Sequence, residues 1–255
     1  MQYPFLKTSN RSIDRAYRLA VATLTANILP FRDGILETEK PVIIAGLGYD
    51  TPWTRDAAIN TWNAGALVCP EVAANTLKSV IKRQDGGYII TGEYWDRIIW
   101  AIGAWQLYLC TGDKDFLTLA YEAVGNSLSF FEKTEFSEEL GLFRGPACYG
   151  DGVAAYPDIY AKPGKSGIIA FAAECRELCD DSGVGIPMYS LSTNCLYYMA
   201  YIIADKMAKE LGFEEKYAAK AESIKNAINK IFWNEQKGTY DYFFDKFGGC
   251  DYQEG

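Results

Sequence analysis

No histidine occurs among the chain's 255 residues, and this absence excludes more chemistry than any motif includes. Ser-His-Asp and Cys-His catalysis are ruled out, as are zinc and haem sites built on imidazole. General acid–base work falls to Asp, Glu, Tyr, Lys or Cys. No basic run offsets the formal charge of −8, which argues against nucleic acid and anionic membrane as partners. No C-x-x-C spacing occurs. The seven cysteines are scattered, odd in number and mostly in apolar company, so they read as small core residues of a reducing compartment. Neither a secretory leader pattern nor a membrane-spanning apolar run is legible. Gly46-x-Gly48 and Gly86-Gly87 lack the spacing of a phosphate loop. We therefore expect a cytoplasmic chain without a metal or organic cofactor.

What is abundant points to a large core. Hydrophobic residues make 49% and aromatics 15%, with 18 Tyr and 6 Trp, which fits both a packed interior and flat faces for carbohydrate. Apolar spacing predicts helices over 13–28, 52–68, 70–81 (ended by Asp85-Gly86-Gly87), 94–110, 114–131, 192–211 and 214–232. Thr51 is the expected cap of the second, with Pro52 in its first position; Pro70 is expected in the first position of the third, Asp113 as the cap of the fifth, Ser192 or Thr193 as the cap of the sixth and Gly212 as its stop, with a turn over 234–238 after the last. The helices over 70–81, 114–131 and 214–232 are amphipathic, whereas 94–110 has almost no polar face and is read as buried. Small residues such as Ala57, Ala58, Ala64 and Gly65 suit close helix approach in 52–68. The segment 135–190 is rich in Gly, Pro and Tyr and largely irregular, with a short helix near 168–178. A loop region of that length in a compact domain is usually functional.

Buried and amphipathic helices alternate, and strands are too few for a βαβ fold. An all-α class follows, a double layer with the helices at Pro52 and Tyr94 inside and those at Pro70 and Lys114 outside. The whole of 1–255 reads as one domain. The turn-like end after Gly248 brings no closing helix, so the array is expected to be the N-terminal portion of a longer one.

Three groups of residues carry candidate chemistry. Trp53, Arg55 and Asp56 share one helix mouth, where an aromatic plate, a cation and a carboxylate can grip a sugar. The alternative is an Asp stabilised by the helix dipole with Arg55 paired to it. Trp95, Asp96 and Arg97 open the buried helix with the same residue types, or simply form an ion-paired helix start. Asp151 stands between two glycines with Tyr149 and Tyr156 near. A carboxyl among aromatic groups has a raised pKa and can act as a general acid. Gly-Asp-Gly is equally an ordinary tight turn with a solvated Asp.

Trp53-Thr-Arg-Asp56, Trp95-Asp-Arg97 and Tyr108-Leu-Cys-Thr-Gly-Asp113 with Asp115-Phe-Leu117 together resemble the (α/α)6-barrel, or six-hairpin, glycoside hydrolases. These include glucoamylases, amylo-α-1,6-glucosidases, trehalases, mannosyl-oligosaccharide glucosidases and α-L-rhamnosidases. The resemblance spans about 49–232, and Trp53–Asp56 is its most specific part. It implies an (α/α)6 toroid, incomplete here, and an inverting exo-acting glycosidase, specifically an α-glucosidase, acting on an oligo- or polysaccharide. Arg55 and Asp56 would hold hydroxyls of the terminal sugar, with Trp53, Trp95, Asp96, Arg97 and Tyr149 completing the binding set. Asp151 matches the general acid of the debranching-like members, while glucoamylases carry a Glu in a different motif. The general base of such enzymes comes later than residue 255. Two alternatives remain open at this level: a carbohydrate-binding or scaffold array without activity, and a glycoside phosphorylase on the same barrel.

Overall fold

The computed structural model describes residues 3–92, 94–148, 188–245 and 248–250. Asp151, Tyr149, Tyr156 and the expected helix near 168–178 lie outside the described residues. What is described is mostly helical, with short antiparallel strands between the helices. Contacts divide the chain into two compact units, Met1–Gly92 with Ile99–Asn126 and Glu93–Ile98 with Ser127–Gly255.

In the first unit, α1 (Arg11–Ala26) is capped by Asn10, whose side chain accepts from the Ser12 N–H. It leads into a hairpin of β1 (Ile28–Phe31) and β2 (Lys40–Ile43), with Ile28 opposite Ile43. The predicted helix 13–28 thus ends two residues early, where Ile28 begins to extend. Ile43 packs with Cys69 and Val72, and Leu24 and Ile28 lie against that cluster. Next come α2 (Thr54–Asn60), a π-helical turn (Thr61–Gly65) and α3 (Ala66–Val68). α4 (Pro70–Lys78) follows with Pro70 in its first turn, as expected. Thr76 ties α4 to β2: its hydroxyl accepts from the Ile43 N–H at 2.8 Å and donates to the Val72 carbonyl.

Two boundaries differ from the expectation. α2 starts at Thr54, with Trp53 at the cap and no side-chain capping bond, so neither Thr51 nor Pro52 has the expected role. The Thr51 carbonyl instead accepts from Ala45, which holds the entering chain extended. α4 stops at Lys78, and 81–90 forms a hairpin of β3 (Ile81–Gln84) and β4 (Gly87–Ile90). Asp85 and Gly86 turn it with φ of 51° and 81°. Such two-residue Asp-Gly turns match the twist of the flanking strands, and this one is written in the sequence.

α5 (Tyr94–Thr111) and α6 (Lys114–Thr134) contribute residues to both units. From Trp95 to Tyr108 no residue of α5 is exposed, in keeping with an all-apolar surface, although Leu109 beyond it is. Within the first unit α5 approaches α2 closely. A Cβ on Gly103 would lie 2.7 Å from the Ala58 carbonyl oxygen, so Gly103 is what lets the two helices touch. Trp100 donates its indole N–H to the Leu77 carbonyl at the end of α4. Asp113 caps α6 as expected, accepting from the Phe116 N–H at 2.9 Å. Exposed residues of α6 recur at 118, 122, 126, 129 and 133, the stripe of an amphipathic helix.

In the second unit, β5 (Phe136–Ser137) and β6 (Leu142–Phe143) form a short hairpin. Beyond it stand β7 (Met188–Ser190), α7 (Leu191–Leu211) and α8 (Ala218–Phe232). Gly212, with φ of 72°, closes α7, and Phe213 returns its N–H to the Ala208 carbonyl. The buried Asp205 accepts from the Lys216 and Tyr217 N–H groups at 3.0 and 2.9 Å, which anchors the start of α8 on α7. Phe143 stacks on Tyr197 with ring centroids 3.7 Å apart, and Phe131 meets the same ring edge-on at 6.0 Å. β8 (Trp233–Asn234) pairs with β9 (Thr239–Tyr240) across the predicted 234–238 turn. β10 (Phe243–Asp245) lies between β7 and β11 (Gly248–Cys250).

Candidate functional site

The first group sits on the entry to α2. Trp53 is 54% exposed, and Leu47 and Tyr49 on the preceding loop are exposed as well. Thr54 is buried and donates its hydroxyl to the Thr91 carbonyl at 2.9 Å, which fixes the first turn of α2 to the strand end after β4. Arg55 and Asp56 follow, both half-buried. A carboxylate in the first turn is favoured by the unsatisfied N–H groups there. The result is an exposed indole beside a guanidinium and a carboxylate on a braced helix start. The π-helical turn after α2 is a feature that sequence reasoning missed. It carries the 47% exposed Trp62, and such turns recur at functional sites.

The second group opens α5, within the second unit. Trp95 is only 1% exposed, so its indole offers no face for stacking. Asp96 is half-buried. The Arg97 guanidinium lies over the rings of Phe130 and Phe131, 5.0 and 5.4 Å from their centroids. Burial lowers the Arg97 pKa from its ordinary value, with Tyr197 acting the other way. Arg97 is therefore a cation held among aromatics rather than a solvated surface charge. The third group, Asp151 with Tyr149, lies outside the described residues.

The described chain that leads to Asp151 is well defined. Arg144 and Glu135 are both buried and form an ion pair at 3.7 Å. The Arg144 guanidinium also donates to the Thr134 carbonyl at 2.8 Å, and its backbone N–H to the Glu135 carbonyl. Burial is the first cause of the raised Tyr197 pKa, followed by the Glu135 carboxylate. Cys148 ends the segment. Burial pushes its thiol up to about 11, against hydrogen bonds from Ser192 and Thr193 that act the other way. A thiol so raised stays protonated at neutral pH and is no nucleophile.

Ser192 and Thr193 were expected to cap α7. The cap is Ser190, and it makes no side-chain capping bond. The polar side chains at 190 and 192–194 reach across to residues 143–148, and Asn194 also donates to the Ser190 carbonyl at 2.9 Å. Sequence reasoning missed this role. The signal was a run of polar residues opening a helix that is otherwise largely apolar: Asn194 is fully buried, and a buried amide must find partners.

Among the described residues no group of three or more His, Cys, Asp or Glu side chains could hold a metal ion. No described helix is long and apolar enough to cross a membrane.

Comparison with known proteins adds a family. The model of the mannosylglycerate hydrolase MGH1-like glycoside hydrolase domain matches residues 49–246, most of the chain. No curated protein matches. Among solved structures, a GH78 family rhamnosidase of Bacillus sp. GL1 is similar with a TM-score of 0.69 and 13% identity, over 98% of this chain and 24% of that one. A sialidase gives 0.64 and 14%, over 97% of this chain and 21% of that one. The chain thus spans a quarter or less of the length of either structure, and at these identities the likeness concerns the fold. A glycoside hydrolase fold is common to these findings. The finer glucoamylase-like or trehalase-like grouping does not follow from them.

Proposed function

The chain belongs to the mannosylglycerate hydrolase MGH1-like glycoside hydrolase domain family, and on that premise we propose that it contributes the sugar-binding and acid-bearing part of an inverting, exo-acting glycosidase. The observation that carries this reading is that one family match, 49–246, includes Trp53–Asp56, Trp95–Arg97 and Asp151 together. Its helices would belong to a single (α/α)6 toroid, with 1–255 in one domain.

Asp151 would protonate the glycosidic oxygen as the bond to the anomeric carbon breaks. A second carboxylate would take a proton from water attacking the opposite face, about 6.5–9.5 Å away as inversion requires. Arg55 and Asp56 would bridge hydroxyls of the terminal sugar, with Trp53 as the stacking plate. Asp96, Arg97 and Tyr149 would add polar contacts. The released sugar would be an α-linked hexose, glucose first. Mannosylglycerate, from the family's name, belongs in the same assay.

The test uses the full-length enzyme and follows the anomer first released by NMR. An α-glycoside should yield the β-anomer. Asp151→Asn should lose about 10²–10⁴-fold on a disaccharide with a poor leaving group, and far less on a nitrophenyl glycoside. Wild-type turnover of the disaccharide by Asp151→Asn would move the acid elsewhere. Cleavage that depends on added phosphate would make the protein a phosphorylase, and sugar binding without any cleavage would make it a binding array.

A further inference from the structure

The segment 143–148 has the backbone of a loop and the burial of a core. Phe143 and Ala147 are fully buried, and Arg144 and Cys148 are 6% exposed. Only Leu142–Phe143 belongs to a strand of the β5–β6 hairpin, so the rest must find hydrogen-bond partners elsewhere. The first turn of α7 supplies them. The Asn194 side chain accepts from the Phe143 N–H at 2.8 Å and donates to the Phe143 carbonyl at 3.0 Å. Ser190 donates to the Gly145 carbonyl at 2.8 Å, and Thr193 to the Pro146 carbonyl. Ser192 accepts from the Cys148 N–H at 3.0 Å. Two backbone bonds complete the set, Gly145 to the Met188 carbonyl and Arg144 to the Glu135 carbonyl.

Hydroxyls and amides at a helix start ordinarily cap their own helix. Here Ser192, Thr193 and Asn194 face a different segment, and Ser190 at the cap does so too, while α7 goes without a side-chain cap. The last bond of the set holds Cys148, and Asp151 is three residues further along. Three residues reach at most about 10–11 Å. A general acid must lie within about 0.5 Å of its productive position, and a misplacement of about 1 Å can cost on the order of 10²-fold.

We infer that Ser190, Ser192, Thr193 and Asn194 are positioning residues that clamp segment 143–148 onto the first turn of α7 and so fix the point from which the chain runs on to Asp151. The inference rests on the reading of Asp151 as the acid. It adds a set of residues that touch no substrate yet set the efficiency of proton donation.

The experiment compares Ser192→Ala, Thr193→Val, Thr193→Ser and Asp151→Asn in the full-length enzyme. Each is assayed on an α-glucosyl disaccharide and on nitrophenyl α-glucoside, with melting temperature and hydrogen exchange of 143–148 measured in parallel. Ser192→Ala and Thr193→Val should speed exchange across the segment. They should lower kcat on the disaccharide about 10- to 100-fold with KM within about 3-fold, and lower it less than about 3-fold on the aryl glycoside. Thr193→Ser keeps the hydroxyl and should restore the wild-type ratio of the two rates. Equal losses on both substrates would make the clamp structural only and overturn the inference, as would unchanged rates alongside faster exchange. If Asp151→Asn loses the disaccharide reaction while the clamp variants keep it, the clamp inference alone fails. If Asp151→Asn behaves as wild type, the acid assignment fails and the inference goes with it.

Discussion

Replacing Gly103 by alanine tests a close helix contact in the first unit. In an exposed helix this change is stabilising by about 1 kcal/mol, because glycine loses more backbone freedom than alanine on folding. Here the added Cβ would meet the Ala58 carbonyl oxygen at 2.7 Å and the Ala58 Cα at 2.9 Å. Both are backbone atoms, so no side chain can rotate away, and α5 must shift by several tenths of an ångström relative to α2. Overpacking of this kind costs about 1–3 kcal/mol. Subtracting the propensity gain leaves a net loss of about 1 kcal/mol, roughly 2–4 °C in melting temperature for a domain of this size class. Urea unfolding followed by tryptophan fluorescence and by far-UV circular dichroism reads it out. Two probes are needed because two compact units can unfold separately. Ser129→Ala on the exposed stripe of α6 is the control, since it changes propensity without a clash and should be neutral or slightly stabilising. A Gly103→Ala chain more stable than wild type would refute the reasoning, because helix propensity would then outweigh the contact and α5 would be free to move from α2.

Other consequences follow from the second unit. Asp205→Ala should cost about 2–3 kcal/mol by leaving the Lys216 and Tyr217 N–H groups without their acceptor, while Asp205→Asn keeps an oxygen there and should cost less; urea midpoints compare the two. Arg144→Leu should cost about 3–5 kcal/mol because it takes a cationic partner from the buried Glu135 carboxylate, and adding Glu135→Leu should recover part of that loss, read as a double-mutant cycle. The Cys148 thiol is held above its ordinary value of 9.0, at about 11, so its contribution to stability is complete below about pH 9 and is lost as pH rises toward 11; stability against pH should fall more steeply over that range in the wild type than in Cys148→Ala, where the buried Cys69, Cys195, Tyr197 and Tyr201 still contribute. By the same burial, iodoacetamide at pH 8 should label the exposed Cys110 well before Cys148, as peptide mass spectrometry would show.

The site residues fall into three cases of legibility. Trp53, Arg55 and Asp56 were readable as a helix mouth, and they do open α2, because Trp, Arg and Asp within one helical turn is a local pattern. Trp95, with the same local spelling, is buried. What separates the two tryptophans is not in the residues beside them. It is that α5 is apolar on every side and is enclosed along nearly its whole length. Ser192 and Thr193 show the converse: both have a capping residue's chemistry, and only the neighbouring segment 143–148 determines that they turn outward.

The sequence by itself determined the predominantly helical class, most helix extents, the stop at Gly212, the cap at Asp113, Pro70 in the first turn of α4, and the exclusion of imidazole chemistry. These depend on spacing, on φ preferences and on which side chains exist, all of which act within a few residues. Asp85-Gly86 belongs to the same class, since its turn was written locally even though a helix was expected to run up to it. Only the tertiary structure decided that Gly103 marks a helix contact and that Ser190, with three polar side chains of α7, holds the segment 143–148. Those outcomes depend on which atoms lie across a gap from residues distant in the chain. A buried polar group or a missing Cβ states that a partner must exist, but only the folded chain says which one it is.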